Sequence, residues 1–127
     1  VASNIVCTCF SYGQIDAITI SVSQSGDVYS FGIHHHGGHG HKEDFISSPK
    51  VISGLRNIMA VDCGNLHTIC LDYNGCVFSF GSNSEGQLGI KRDNGIEVIH
   101  TPQRVENLPA IKQISCGDDF TICISKD

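Results

Sequence analysis

The chain alternates short apolar runs with glycine-bearing polar segments, and no window sustains the 3.6-residue periodicity of a capped amphipathic helix. Its clearest stretch is 65–89, NLHTICLDYNGCVFSFGSNSEGQLG, where apolar runs at 68–71 and 77–80 flank Asn74-Gly75. Asn-Gly most readily supplies two positive φ angles, so the stretch reads as a β-hairpin on a type I′ turn. A polar loop follows, punctuated by Gly81, Gly86 and Gly89, with Asn83, Gln87 and Leu88 between them. A glycine-studded loop of this kind holds backbone conformations closed to other residues, and Leu88 packs beneath it.

The unit recurs. Residues 18–32, ITISVSQSGDVYSFG, align without a gap on 67–81 at an offset of 49, placing Thr19 on Thr68, Gly26 on Gly75 and Phe31-Gly32 on Phe80-Gly81. Residues 120–127, FTICISKD, align on 67–74 at an offset of 53, with Cys116-Gly117 on Cys63-Gly64 and Pro102 answering Pro49. Further strands are expected at 4–10, within 55–63, around 103–105 and at 111–115. The segments after Gly32 and from 82 to 100 read as loops. The class is all-β, and the repeats sort into 4–64, 65–117 and the opening of a third at 118–127.

Taken in order, Gly64, x, x, His67-Thr68, the hairpin on Gly75, Phe80-Gly81, x, Asn83, x, x, Gly86-Gln87-Leu88-Gly89 and Thr101-Pro102 before the next strand resemble the repeat of the regulator of chromosome condensation family. Residues 57–117 carry nearly all of it and 4–56 a degraded copy. The resemblance implies part of a β-propeller, seven-bladed in the family, with four antiparallel strands per blade. Phe31 and Phe80 depart from the family by standing where it usually has Trp. The resemblance also implies a platform for protein partners. The founding member is a guanine-nucleotide exchange factor for the small GTPase Ran, whose action needs no side-chain acid or base. Since stacked repeats share one core, the chain is expected to need the remaining propeller blades of a longer parent and, alone, to be marginal or self-associating.

Composition narrows this further. With 40% hydrophobic and 17% charged residues the chain is ordinary for a globular domain, and no apolar run approaches the roughly eighteen residues of a membrane span. A net charge of −5, with Lys and Arg scattered, offers no basic stripe, so direct nucleic-acid binding and a membrane role are not expected. The seven cysteines are odd in number and repeat-equivalent in part, which favours reduced, small apolar core residues and a cytoplasmic or nuclear setting.

The conspicuous candidate chemistry is His34, His35, His36, His39 and His41. Neutral imidazoles so close could hold zinc, copper or nickel, yet GIHHHGGHG aligns on GSNSEGQLG, with Gly37 on Gly86 and Gly40 on Gly89, so this is the same loop with altered polar residues. No metal or cofactor is expected. His67, for which Asp62 or Asp72 could be imagined as an orienting carboxylate, occupies a slot filled by Ile18 and Phe120 in the other copies and reads as a core histidine bonded to a neighbouring turn. There is no nucleophile elbow and no phosphate loop, so the chain is expected to be non-catalytic. Fixed strands and diversified loops suit an interaction module, and Glu43, Asp44, Glu85, Asp93 and Glu97 would favour a basic or mixed protein surface. Part of an exchange factor for a Ran-like GTPase is the alternative.

Overall fold

The computed structural model describes residues 5–12, 17–91 and 95–127, and every regular element among them is a strand. β1 (Ile5–Tyr12), β2 (Ala17–Ser23), β3 (Val28–Ile33) and β4 (Phe45–Val51) form one antiparallel meander. β5 (Ile58–Cys63), β6 (His67–Asp72), β7 (Val77–Ser82) and β8 (Val98–Arg104) form a second. β9 (Ile111–Cys116) and β10 (Thr121–Ser125) pair as a hairpin. The first strands stand side by side, β1 against β5 and β5 against β9, as in neighbouring propeller blades.

β6 shows why the sequence builds this stack. All six of its residues are buried, because successive side chains point to opposite faces and each face is covered. Cys70 enters a core with Ile20, Val22, Val28, Ile52 and Phe80, whereas Ile69 and Leu71 enter a second core with Val77, Val105 and Ile111. The second sheet is thus the filling between the first sheet and the β9–β10 hairpin.

Backbone bonds recur at both seams. Ile58 N–H donates to Gly26 O at 3.1 Å, and Ile111 N–H donates to Gly75 O at 3.0 Å. Each glycine is the tip of a hairpin on one sheet, and a Cβ there would lie 2.8 Å from the backbone of the next sheet's entry. Gly26 and Gly75 are therefore fixed twice, by positive φ values of 87° and 88° and by this close approach.

Three local expectations are corrected. The Asn74-Gly75 turn is not type I′, because Gly75 has positive φ and Asn74 does not. Gly75 N–H closes the turn onto Asp72 O, and Asp72 Oδ1 accepts from the N–H groups of Asn74 and Cys76 at 2.9 and 2.8 Å. That carboxylate selects a turn ending in one left-handed glycine. The segments read as loops also contain strand: β4 begins inside the first, and β8 begins at Val98 rather than near 103. Both are outer strands, and β4 buries only Ile46, so neither shows the alternation of a two-sided strand. Finally, Cys63 is disulfide-bonded, while Cys70, Cys76, Cys116 and Cys123 are free. The strand bearing Cys63 lies directly against β1, a proximity the repeat alignment alone did not convey.

Candidate functional site: the glycine-loop end of the sheets

In a meander alternate connections share an end, so the β3–β4 loop, the β5–β6 turn, the β7–β8 loop and the β9–β10 turn lie together. The two long loops differ in length, but 34–40 and 83–89 close the same glycine turn with different side chains. In the second, Asn83 Oδ1 accepts from Leu88 N–H at 3.1 Å, Asn83 Nδ2 donates to Ile90 O at 3.0 Å, and Gln87 Oε1 accepts from Glu85 N–H at 2.9 Å. Gly89 N–H donates to Gly86 O at 3.1 Å, and Ser79 Oγ clamps Leu88 O at 2.9 Å. Leu88 is buried beneath, and Gly86 and Gly89 carry φ of 79° and 65°.

In the first loop His34 stands where Asn83 does. Its Nδ1 accepts from the N–H groups of His36 and Gly38 at 3.1 and 2.9 Å, an imidazole nitrogen replacing an amide oxygen. Gly40 N–H donates to Gly37 O at 3.1 Å, and Ser30 Oγ donates to His39 O, repeating the bonds of the other loop. His39, in the place of Leu88, is fully buried, and its Nδ1 accepts from His41 N–H at 3.3 Å. The larger ring at 34 demands a smaller neighbour, since a Cβ on Gly38 would sit 2.4 Å from His34 Nε2. The second loop has the reverse pair, Asn83 with Gln87.

The histidines are therefore parts of a loop. With Nδ1 of His34 and of His39 accepting from backbone N–H groups, Nε2 is the nitrogen each ring has left to donate. Among the described residues no three His, Cys, Asp or Glu side chains converge as metal ligands. Burial lowers the pKa of His39 and of His41, in His39 against the opposing pull of Asp44 and Glu43. His35 is exposed and pairs with Asp44 at 3.4 Å, and His36 is half-buried.

The remaining motif residues are anchors between sheets. Thr68 Oγ1 donates to Gly38 O in the first loop, and at the next seam Thr121 Oγ1 donates to Gln87 O at 2.9 Å. His67, fully buried, uses Nε2–H on Thr121 Oγ1 at 3.0 Å, so its partner is a strand side chain rather than a turn. Its Nδ1 is buried without a donor, and burial lowers its pKa against the fields of Asp119 and Asp62. Neither imagined carboxylate orients it: Asp62 accepts from the N–H groups of Cys63 and Cys116 at 3.0 and 2.8 Å, and Asp72 holds its hairpin. Gly64 and Gly117 close their turns onto His67 O and Phe120 O, each at 2.9 Å. Gly32 and Gly81 end β3 and β7, where a Cβ would strike Ala17 O or Leu66 O. Phe80 is fully buried between the first two sheets, Phe31 is half-buried, and Pro102 lies in outer strand β8.

Of the acidic residues singled out, Glu43, Asp44, Glu85 and Glu97 are exposed on the loops, and Asp93 lies outside the described residues. Glu43 is kept below the usual carboxylate range by its own backbone N–H and by Lys50, whose ammonium is 3.0 Å away. Sequence reasoning missed Asp118 and Asp119, which are exposed in the β9–β10 turn at the same end. Meander parity, which puts alternate connections together, was the signal that could have found them.

Comparison with known proteins agrees with this geometry. Residues 25–71 and 74–124 match the regulator of chromosome condensation (RCC1) repeat. Each matched segment runs from one hairpin tip to the second strand of the next sheet, so a sequence repeat spans a seam rather than a single blade. The chain is 31% identical over 126 residues to a protein RCC2 homolog of Danio rerio, covering 96% of this chain and 25% of that relative. The chain thus spans about a quarter of that relative's length. Among solved structures it is similar to human WBSCR16, with a TM-score of 0.83, 24% identity and coverage of 98% of this chain and 33% of that one. It is also similar to Prp20p from Saccharomyces cerevisiae, with a TM-score of 0.81, 19% identity and coverage of 100% and 33%. By fold, these sheets are blades of a partial β-propeller, and the chain belongs to the regulator of chromosome condensation repeat family.

Proposed function

We propose that the chain is a non-catalytic protein-interaction module whose glycine-loop end receives a protein partner in the cytoplasm or nucleus. The observation that carries this reading is the pair of loops: the glycine return and the serine clamp recur in both, yet nearly every outward residue differs. A scaffold that spends its glycines and serines on holding loop shape while leaving side chains free to vary is suited to presenting surface. Glu85, Glu97, Asp118 and Asp119 give that end an acidic cast, which favours a basic or mixed partner over nucleic acid. Prp20p, with which this chain shares its fold, is described by its binding to Gsp1p and histones. The repeats here supply motif residues to hairpins, seams and loop anchors, and none is left over as an acid, base or nucleophile with a poised partner.

The test is a binding titration against basic proteins, core histones first, at two salt concentrations. Binding should weaken with salt and drop at least tenfold when Glu85, Glu97, Asp118 and Asp119 are changed together to Lys. Salt-independent binding, or binding indifferent to the four changes, would sink the acidic-end reading.

A second reading, part of an exchange factor for a Ran-like small GTPase, is favoured by the family and by the Gsp1p binding attributed to Prp20p. It is tested on the natural full-length protein with a panel of small GTPases loaded with labelled nucleotide. Accelerated release, abolished by alanine changes in the loop at 82–100, would promote it over the module reading.

A further inference from the structure

Two of the chain's three prolines directly follow a hydroxyl residue, as Ser48-Pro49 and Thr101-Pro102, and the two dipeptides are repeat-equivalent. Both sheets put them in the same irregularity. In the first, Ser30 lies opposite Lys50 and Gly32 opposite Ile46, so Phe31 alone faces 47–49. In the second, Ser79 lies opposite Gln103 and Gly81 opposite Ile99, so Phe80 alone faces 100–102. Each dipeptide is thus the bulge of an outer strand, β4 or β8, which pairs on one side only. Proline suits the place, having no N–H to give to a ladder. Ser48 and Thr101 are both exposed. At Ser48 this holds beside a complete neighbouring sheet: Ile46 and Lys50 share a face with Val28, which enters the core between the first two sheets, and Ser48 falls between them on that strand. The bulges therefore stand at the rim, beyond the seam. β4 buries Ile46 alone and β8 buries none of its residues fully, so either strand can be drawn away locally with the core intact.

We infer that these bulges are phosphorylation sites for a proline-directed serine/threonine kinase using ATP, with Thr101 the preferred acceptor. A kinase that sets the residue after the acceptor against apolar surface leaves a backbone N–H there without a partner, and proline alone has none to lose. Arg104, exposed three residues beyond Thr101, offers a guanidinium to an acidic group on the enzyme. Ser48 has instead Lys50, whose ammonium is already held by Glu43 at 3.0 Å. In the transfer the hydroxyl oxygen attacks the γ-phosphorus of ATP, the bond to the β–γ bridging oxygen breaks, ADP leaves, and the hydroxyl proton passes to the kinase's carboxylate base. The product carries close to two negative charges, and on Ser48 it competes with Glu43 for Lys50. Both bulges lie in mid-strand, so the inference is independent of the function proposed for the loop end.

The test incubates the natural full-length protein with a purified cyclin-dependent kinase and magnesium ATP, and reads occupancy site by site by mass spectrometry. Phosphate is expected on Thr101 first and on Ser48 more slowly, with none on Ser47, which is exposed but followed by serine. Pro102→Ala should slow Thr101 by at least about tenfold while Ser48 in the same molecule keeps its rate. Arg104→Gln, a change at an exposed position, should slow Thr101 severalfold and keeps the test valid if Pro102→Ala misfolds. A peptide copying residues 97–106 runs in parallel. Phosphate on the peptide with none on Thr101 or Ser48 of the folded protein would show that the strands shield both hydroxyls and overturns the inference. So does phosphate on neither, modification of Ser47 as fast as Ser48, or a Thr101 rate indifferent to both substitutions.

Discussion

The segments 34–40 and 83–89 close the same glycine turn with opposite choices of side chain. One uses a ring nitrogen of His34 and keeps Gly38 bare to make room; the other uses the shorter amide of Asn83 and can carry Gln87. What is fixed is the acceptor near the loop's start, the Ser clamp from the third strand and the glycine N–H returning to the preceding glycine's carbonyl. What varies is everything those bonds leave free. The difference has a chemical consequence further along the turn, because Leu88 does not titrate and His39, in its place, does.

The floor of the first loop carries the largest predicted effect. Phe80 lies under that loop with its ring against Gly40. Phe80→Ala should cost about 3–5 kcal/mol in urea unfolding, the usual range for a buried Phe truncated in a core. It should loosen the first loop selectively, read as faster exchange of the Gly40 N–H with Gly89 little changed. Phe31→Ala, at a half-buried position, should cost clearly less. Equal costs for the two would mean that the seam is not where the first loop gets its support.

Next in size is the compensation between positions 34 and 38. Gly38→Ala drives a methyl into the His34 ring, and overpacking of this kind costs about 1–3 kcal/mol. Paired with His34→Asn, as in the second loop, the same change should be nearly free. The coupling measured by a double-mutant cycle is thus expected to be of the same size as the single-site cost. Additive costs would show that the loops are not interchangeable constructions.

These contrasts also explain what the sequence made legible. Hairpins were readable because each combines alternation with a glycine that two constraints fix, as at Gly75, so the inner strands were found. β4 was not readable: FISSPKV buries one side chain, and Pro49 argues against a strand unless its N–H side faces away from a partner, as in an outer strand. The Asn74-Gly75 dipeptide misled because the decisive group was the Asp72 carboxylate two residues earlier. At the candidate site, alignment equated the histidine loop with its asparagine counterpart. The role of His34 Nδ1 as acceptor, and the bond from His67 to Thr121 across 54 positions, depend on three-dimensional register that no local pattern encodes.

The smallest effect expected, and the one that most directly separates the two loops, is in pH dependence. His39, His41 and His67 are held by burial below the ordinary imidazole value of 6.5. A depressed folded-state pKa means that the unfolded chain binds more protons near and just below that value, so stability rises with pH there. The contribution is fully present above about 6.5, is lost as pH falls through that point, and levels off below the folded-state values. Each such group adds at most about 1.4 kcal/mol per pH unit to the slope. His39→Leu copies Leu88 of the second loop and removes one of the three. Urea unfolding of that variant at pH 7.5, 6.5 and 5.5 should show a shallower loss on acidification than the parent, with stability at pH 7.5 retained. If the His39→Leu slope equals the parent's, the ring at 39 carries no share of the acid sensitivity, and the titrating difference between the loops has to be sought at His41.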